Sequence, residues 1–423
     1  MIKKVLAVFL GLSLVSGSLA ACSSKATEPD SSTAAGTAAA DRSVSTAPEK
    51  VTLRFVHCDG QDNPNVAALI QDFQDKNPNI TIDAAYMVNS ELKKQMRIAM
   101  LSNTLPDLTV FDNPDFPAFA SGGFLVNITD RMNAWGELDQ FYPGPLNSVK
   151  YKGDIYGVPW YSNNIAMAYN QEMLDKAGVQ PPKTWDELRA AAARLTGNGV
   201  YGMAIAAVKS EVGTFHYIPW LYSAGGSYDK LDSPESIKAM TFLADLVKDG
   251  YMSKEVINYD NGMCLKAFEG GKAAMAILGS WTVNSLKKDV PDLKYGFVPI
   301  PSDKTSVTCL GGYDVGITKD CKYVDQAFEF LKYIASKDGV NTYSFAVKNV
   351  PTRKDVLEMN PGWKDYPISL FVGQMPNAVT RVNPFWPDVS VNIQVALQEA
   401  LLGDKTPEQA LKDAQAKNAD YWK

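Results

Sequence analysis

Between Val51 and Phe111 the apolar residues switch repeatedly between a period of two and a period near 3.6. Val51-Thr-Leu-Arg-Phe-Val56 alternates as a half-buried strand does. Residues 64–76 then place Val66, Leu69, Ile70 and Phe73 at helical spacing. Ile80-Thr-Ile82 predicts a second strand, Leu92 to Leu101 a second amphipathic helix, and Leu108-Thr-Val-Phe111 a third strand. Strand, helix, strand, helix, strand requires parallel βαβ units, and so an α/β sheet. Ligands of open α/β sheets bind beyond the carboxyl ends of the strands. Topology alone therefore nominates His57-Cys58-Asp59-Gly60 and Asp112-Asn113 as site segments.

Helices dominate downstream. Thr184 to Leu195 opens on an N-cap threonine and an acidic first turn, Asp186-Glu187. Ser233-Pro234 starts a helix to Lys248 with proline at its first position. Val324 to Ala335, Val389 to Leu401 and Thr406 to Tyr421 read the same way, and Thr406 with Gln409 has the spacing of a capping box. Short strands are expected at 201–206, 273–278, 294–298 and 313–317. No internal repeat is visible.

The N-terminus is an address. Lys3 and Lys4 precede an apolar run from Val5 to about Val15, too short for a membrane span. Leu19-Ala20-Ala21-Cys22 follows, small residues closing on a cysteine, and is similar to a bacterial lipobox. That similarity implies a signal peptide over residues 1–21 and a lipid on Cys22. Residues 23–50 are rich in Ser, Thr, Ala, Asp and Pro and cannot bury a core, so residues 22–50 are expected to form a lipidated, flexible tether. No later segment approaches membrane length, so only the lipid would hold the protein to the membrane. The formal charge of −6 argues against nucleic acid as a partner. Cys58, Cys264, Cys309 and Cys321 remain; they could form two disulfides in any of three pairings, or stay as buried thiols. None has metal-ligand spacing.

A series of fragments running through the body resembles the extracellular solute-binding proteins of ABC importers, in the branch that includes maltose-binding protein. They are Phe73-Gln-Asp-Lys-Asn-Pro78-Asn-Ile-Thr-Ile82, Leu105-Pro-Asp-Leu108, Gly153-Asp-Ile-Tyr-Gly-Val-Pro159, Tyr169-Asn-Gln-Glu-Met-Leu-Asp-Lys-Ala-Gly178, Pro182-Lys-Thr-Trp-Asp-Glu-Leu188, Phe268-Glu-Gly-Gly-Lys-Ala-Ala-Met275 and Gly279-Ser-Trp281. Their order and spacing carry the resemblance. It implies a two-lobed periplasmic-binding-protein fold with three interlobe crossings and a ligand cleft between the lobes. We place the crossings near 160–164, 271–275 and 312–315. The N-terminal lobe is then 51–161 plus 275–312, and the C-terminal lobe 162–274 plus 313–423. The implied function is capture of a carbohydrate, an oligosaccharide by preference, through hinge closure, and delivery to the importer's membrane subunits. No cofactor, no metal and a monomer are expected, at the outer face of the cytoplasmic membrane.

A sugar offers apolar C–H faces and a rim of hydroxyls, so its site needs aromatic platforms and polar groups. The resemblance points to Trp281 and Trp386 as stacking aromatics; Trp160 and Trp220 are further candidates, and Tyr161 and Tyr313 weaker ones. Trp185 and Trp363 read as core. Polar candidates are Asp59, Asp112, Asn113, Asn163 and Asn164, since a carboxylate can accept two hydroxyls. Gly311-Gly312 would allow close backbone approach. Arg353 is retained for an acidic ligand group, with Arg381 behind it, although such arginines more often pair with carboxylates.

Other chemistry finds little support. Gly197-Asn-Gly-Val-Tyr-Gly202 matches GxGxxG but follows a helix and precedes a strand, the reverse of a nucleotide loop, and reads as a turn. His57 and Cys58 are adjacent on a strand and so point to opposite faces, which disfavours a nucleophile pair. The chain is therefore read as a binder and not an enzyme. A secreted glycoside hydrolase and a surface adhesin remain the alternatives; a hydrolase would need two facing carboxylates, one with a raised pKa.

Overall fold

The computed structural model describes residues 49–422. The signal peptide, Cys22 and the tether up to residue 48 lie outside the described residues. The βαβαβ pattern is realised: Val51–His57 lies between Ile80–Tyr86 and Leu108–Asp112, all parallel, with helices Pro64–Lys76 and Asn89–Leu101 as the crossovers. Val66, Leu69, Ile70 and Phe73 bury one helix face against this sheet. Two further strands complete it: Gly311–Ile317, antiparallel to Leu108–Asp112, and then Gly157–Asn163, antiparallel to Gly311–Ile317. A second, mixed sheet runs in the order Tyr295–Val298, Ile165–Asn170, Ala273–Gly279, Tyr201–Ala204.

Each sheet has its own hydrophobic core. In the first, Phe330 sits edge-on to both Phe55 and Phe73 at 5.4 and 5.0 Å. Burial of each such ring is worth about 1.5–3 kcal/mol. The second core gathers Trp185, Trp220, Leu243, Ile277 and Ile393 from helices packed on the other sheet.

This partition corrects the expected lobe boundaries. The expected first lobe includes residues 275–312, but Ala273–Gly279 and Tyr295–Val298 hydrogen-bond within the second sheet. The expected second lobe includes residues 313–423, but Gly311–Ile317 is a central strand of the first sheet, and helix Val324–Ile334 packs in its core. Two of the mapped crossings fit. The chain leaves Gly157–Asn163 and enters Ile165–Asn170 across Asn164, and it returns across Leu310 into Gly311–Ile317. The crossing near 271–275 does not exist, because that stretch enters an interior strand of the second sheet. The third passage follows helix Lys337–Ala346, where Val350 and Ser162 exchange backbone hydrogen bonds of 3.0 and 2.7 Å before Val356 and Trp363 join a cluster with Ala166 and Ala276.

Local signals read from the sequence have counterparts in the caps. Thr184 and Glu187 form a complete capping box, and the Ser233 side chain accepts from the Ser236 amide. Thr406 accepts from the Gln409 amide, but the Gln409 side chain donates to Asp413 instead, leaving half a box. Gly197 and Val200 exchange backbone hydrogen bonds around Asn198 and Gly199, both at positive φ, so the GxGxxG match is a tight turn. Cys58, Cys264, Cys309 and Cys321 are free thiols; those of Cys264 and Cys309 face the Ile277 and Leu310 carbonyls. No described helix is long and apolar enough to cross a membrane.

Candidate functional site

The strand ends converge on one edge. Cys58 and Asp59 follow Val51–His57, Asp112 closes Leu108–Asp112, and Asn163 closes Gly157–Asn163. Gly311–Ile317 runs the other way, so its beginning lies at the same edge: Tyr313 pairs with Asp112 and with Tyr161, and Gly311 with Asn163. On the second sheet Gly279 pairs with Ile165, which brings Trp281 off the strand end toward this edge. A cleft of about 690 Å³ opens there, lined by residues of both sheets. That volume falls within the range of small-molecule sites.

Two glycines make the cleft possible. Gly312 has φ +135, and a Cβ there would lie 2.3 Å from the Tyr161 carbonyl oxygen. A Cβ on Gly279 would lie 2.0 Å from the Trp281 ring, so the absence of a side chain lets the indole fold back over its own strand. Phe215, 6.4 Å away, supports that indole.

Four carboxylates and two cations line the cleft. Lys93 holds Asp115 at 2.6 Å. Arg381 pairs with Glu211 and donates to the Leu310 carbonyl at 2.8 Å. Glu211 also accepts from the Ser390 hydroxyl and, at 3.1 Å, from the Trp386 indole N–H. Desolvation raises the Asp112 carboxyl to about 7, against the opposing pull of Arg381. Desolvation raises Asp59 to about 6, partly offset by the hydrogen bond from Tyr161 and the nearby Tyr343 hydroxyl. The Tyr161 hydroxyl donates to one Asp59 oxygen, while the other, buried, has no hydrogen-bond partner among the described residues.

Residues 68–371 match the family model of bacterial extracellular solute-binding proteins. The chain belongs to this family. Among its relatives, a putative binding protein of Brucella abortus is 24% identical over 87% of this chain and 92% of that protein. The multiple sugar-binding protein of Streptococcus mutans is 24% identical over 70% of this chain and 73% of its own length. An ABC transporter solute-binding protein from Thermotoga lettingae, solved with α-D-tagatose, superposes with a TM-score of 0.79 at 30% identity, covering 88% of this chain and 99% of that one. Maltose-bound MalE3 of T. maritima superposes with a TM-score of 0.77 at 25% identity, covering 87% and 99%. The two-lobed α/β fold of the maltose-binding-protein branch is thereby established.

Within this solute-binding protein, Asp59, Asp112, Asn163, Trp281, Gly312 and Tyr313 line the cleft together with Tyr161. Six expected site residues do not. Trp160 is fully buried, stacked on Tyr343 at 4.6 Å, because its strand position points into the first core. Trp220 lies in the second core against the stacked pair Trp185 and Phe242. Trp386 is fully buried in the same core, edge-on to Tyr228, and meets the cleft lining through its bond to Glu211 and the Arg381 guanidinium over its ring. Arg353 forks onto Asp355 at 3.0 and 2.8 Å, pairs with Glu137 at 2.6 Å and lies over Phe141, away from the cleft. Asn113 is buried behind the cleft wall, its backbone N–H donating to the Gly312 carbonyl. Asn164 is likewise structural, donating to the Phe371 carbonyl at 2.8 Å.

Other residues complete the site: Lys93, Asp115, Glu211, Phe215, Tyr343 and Arg381. Glu211 begins a helix capped by Ser210, a position the sequence marks only as an ordinary helix start. Arg381 stands out in the sequence only by its charge, and its partner lies 170 residues away. Nothing local announces either as a cleft residue. His57 is buried and its pKa is lowered by desolvation, while burial pushes the Cys58 thiol upward, so neither resembles an activated nucleophile pair.

Proposed function

We propose that this protein captures a carbohydrate, an oligosaccharide by preference, closes its two lobes around it and delivers it to an ABC importer in the membrane. The observation that carries the reading is a cleft between two sheets that combines aromatic faces, Trp281 and Tyr313, with carboxylates able to accept hydroxyls, Asp59 and Asp112. The tagatose and maltose in two structural neighbours, and the multiple sugar-binding relative, support the same ligand class. The lobes in this proposal follow the two sheets: roughly residues 51–163 with 311–346, and 165–309 with the C-terminal helices. Closure takes its free energy from a ligand that touches both at once. The proposal extends to a lipid on Cys22 that keeps a monomeric receptor beside its transporter, with no enzymatic step.

The test is a thermal-shift screen across mono- and oligosaccharides, with reducing ends assayed in parallel. At least one sugar is expected to raise the melting temperature without being cleaved. Flat curves across the panel would reject the carbohydrate reading. Release of reducing ends would favour the hydrolase, for which the raised carboxyls of Asp112 and Asp59 are the specific observation.

A further inference from the structure

We propose that the cleft selects an amine-bearing saccharide over its neutral counterpart and rejects the anionic one, because its floor holds two carboxylates, Asp59 and Asp112, with which no cation among the described residues forms an ion pair. This rests on the carbohydrate reading above and narrows it.

Both cleft cations are already committed. Lys93 serves Asp115 and Arg381 serves Glu211. Asp112 faces both pairs, so the attraction of Arg381 and Lys93 is opposed by Glu211 and Asp115. Its other titratable neighbours, Cys58, Tyr313, Cys309 and Asp314, have pKa values raised by burial and bring no positive charge. Asp59 faces the Tyr161 and Tyr343 hydroxyls, Cys58 and Tyr313, and its amide meets the uncharged ring of His57. Its second oxygen is buried without a partner among the described residues.

Lobe closure would remove the remaining water from this floor. An ionised carboxylate buried without a counter-charge costs several kcal/mol. Sugar hydroxyls donate hydrogen bonds but do not cancel charge. An ammonium group does both, through charge-assisted bonds of roughly twice the neutral strength. The nearby Trp281 and Tyr313 rings favour a cation further. A uronate or phosphate would add a third uncompensated anion.

The proton balance of binding follows. Desolvation already places the two carboxyls at about 6 and about 7. A neutral sugar that closes the cleft raises them further, so the complex takes up protons near pH 6.5. An ammonium ligand stabilises the charged carboxylates and lowers both values, so the complex releases protons at the same pH.

The experiment is calorimetry on the whole soluble protein, in two buffers of different ionisation enthalpy at pH 6.5. The probes are glucose, galactose and mannose, their 2-amino counterparts and their uronates, each as monosaccharide and as β-1,4-linked dimer. The expected result is an amine form that binds about tenfold or more tightly than its neutral counterpart, with proton release for the amine and uptake for the neutral form. In Asp112→Asn the amine-to-neutral affinity ratio should fall toward one. A neutral form that binds as tightly as the amine overturns the charge inference and leaves the carbohydrate reading standing. An unchanged ratio in Asp112→Asn removes Asp112 from the inference. If no probe binds while a neutral sugar from the thermal-shift screen does, the charge inference falls and the carbohydrate reading stands.

Discussion

Trp281 and Trp386 look equivalent in sequence, each beside small or proline residues and next to a helix, yet they stand in different environments. Trp281 is half-buried on the cleft wall with Phe215 behind it. Trp386 is fully buried and spends its N–H on Glu211. Trp281→Ala should therefore weaken sugar binding, by about 1–3 kcal/mol if the indole stacks on a ring, while the melting temperature shifts little. Trp386→Phe should do the reverse: it keeps the ring but strips one donor from Glu211, and should lower stability by about 1 kcal/mol with a smaller effect on affinity. Calorimetry and thermal melts on both variants check this. Unchanged affinity in Trp281→Ala would take that residue out of the site.

Single elements were the most legible part of the sequence, because their signals are local. The capping box at Thr184 and Glu187 needs only its own turn, and it forms with Glu187 accepting from the Thr184 backbone. Thr184→Ala should cost about 1 kcal/mol of stability and leave sugar affinity unaltered, since the residue lies outside the cleft; urea titration and binding assays together test this. The Thr406 cap shows where local reading stops. Gln409 has the right spacing, but Asp413 one turn on competes for its amide and takes it. Helix ends shift for similar reasons: the last predicted helix stops at Asn418 and tightens into a 3₁₀ turn over Ala419–Trp422.

The described residues form two main sheets, one core on the first and a core on each face of the second, joined by three passages of chain, with the cleft at the shared edge of the sheets. If the ligand closes the lobes, small-angle scattering should show a smaller radius of gyration with a bound sugar than without. An unchanged profile at saturation would point instead to a static binder of the adhesin type.

The parallel direction of the first three strands followed from residues 51–112 alone, since strand–helix–strand alternation at that spacing makes right-handed parallel crossovers, whereas the central place of Val51–His57 did not. The site segments after those strands followed from topology, and Asp59 and Asp112 do reach the cleft. Tertiary structure decided the rest. An apolar strand such as Ala273–Gly279, buried on both faces, carries no mark of which sheet it joins, because its seven residues are buried alike. A tryptophan carries no mark of whether its environment is core or cleft. The pairing of Arg381 with Glu211 spans 170 residues of sequence. Sheet membership, the orientation of a ring and the partner of a buried charge all depend on contacts between distant segments, and these exist only once the chain has folded.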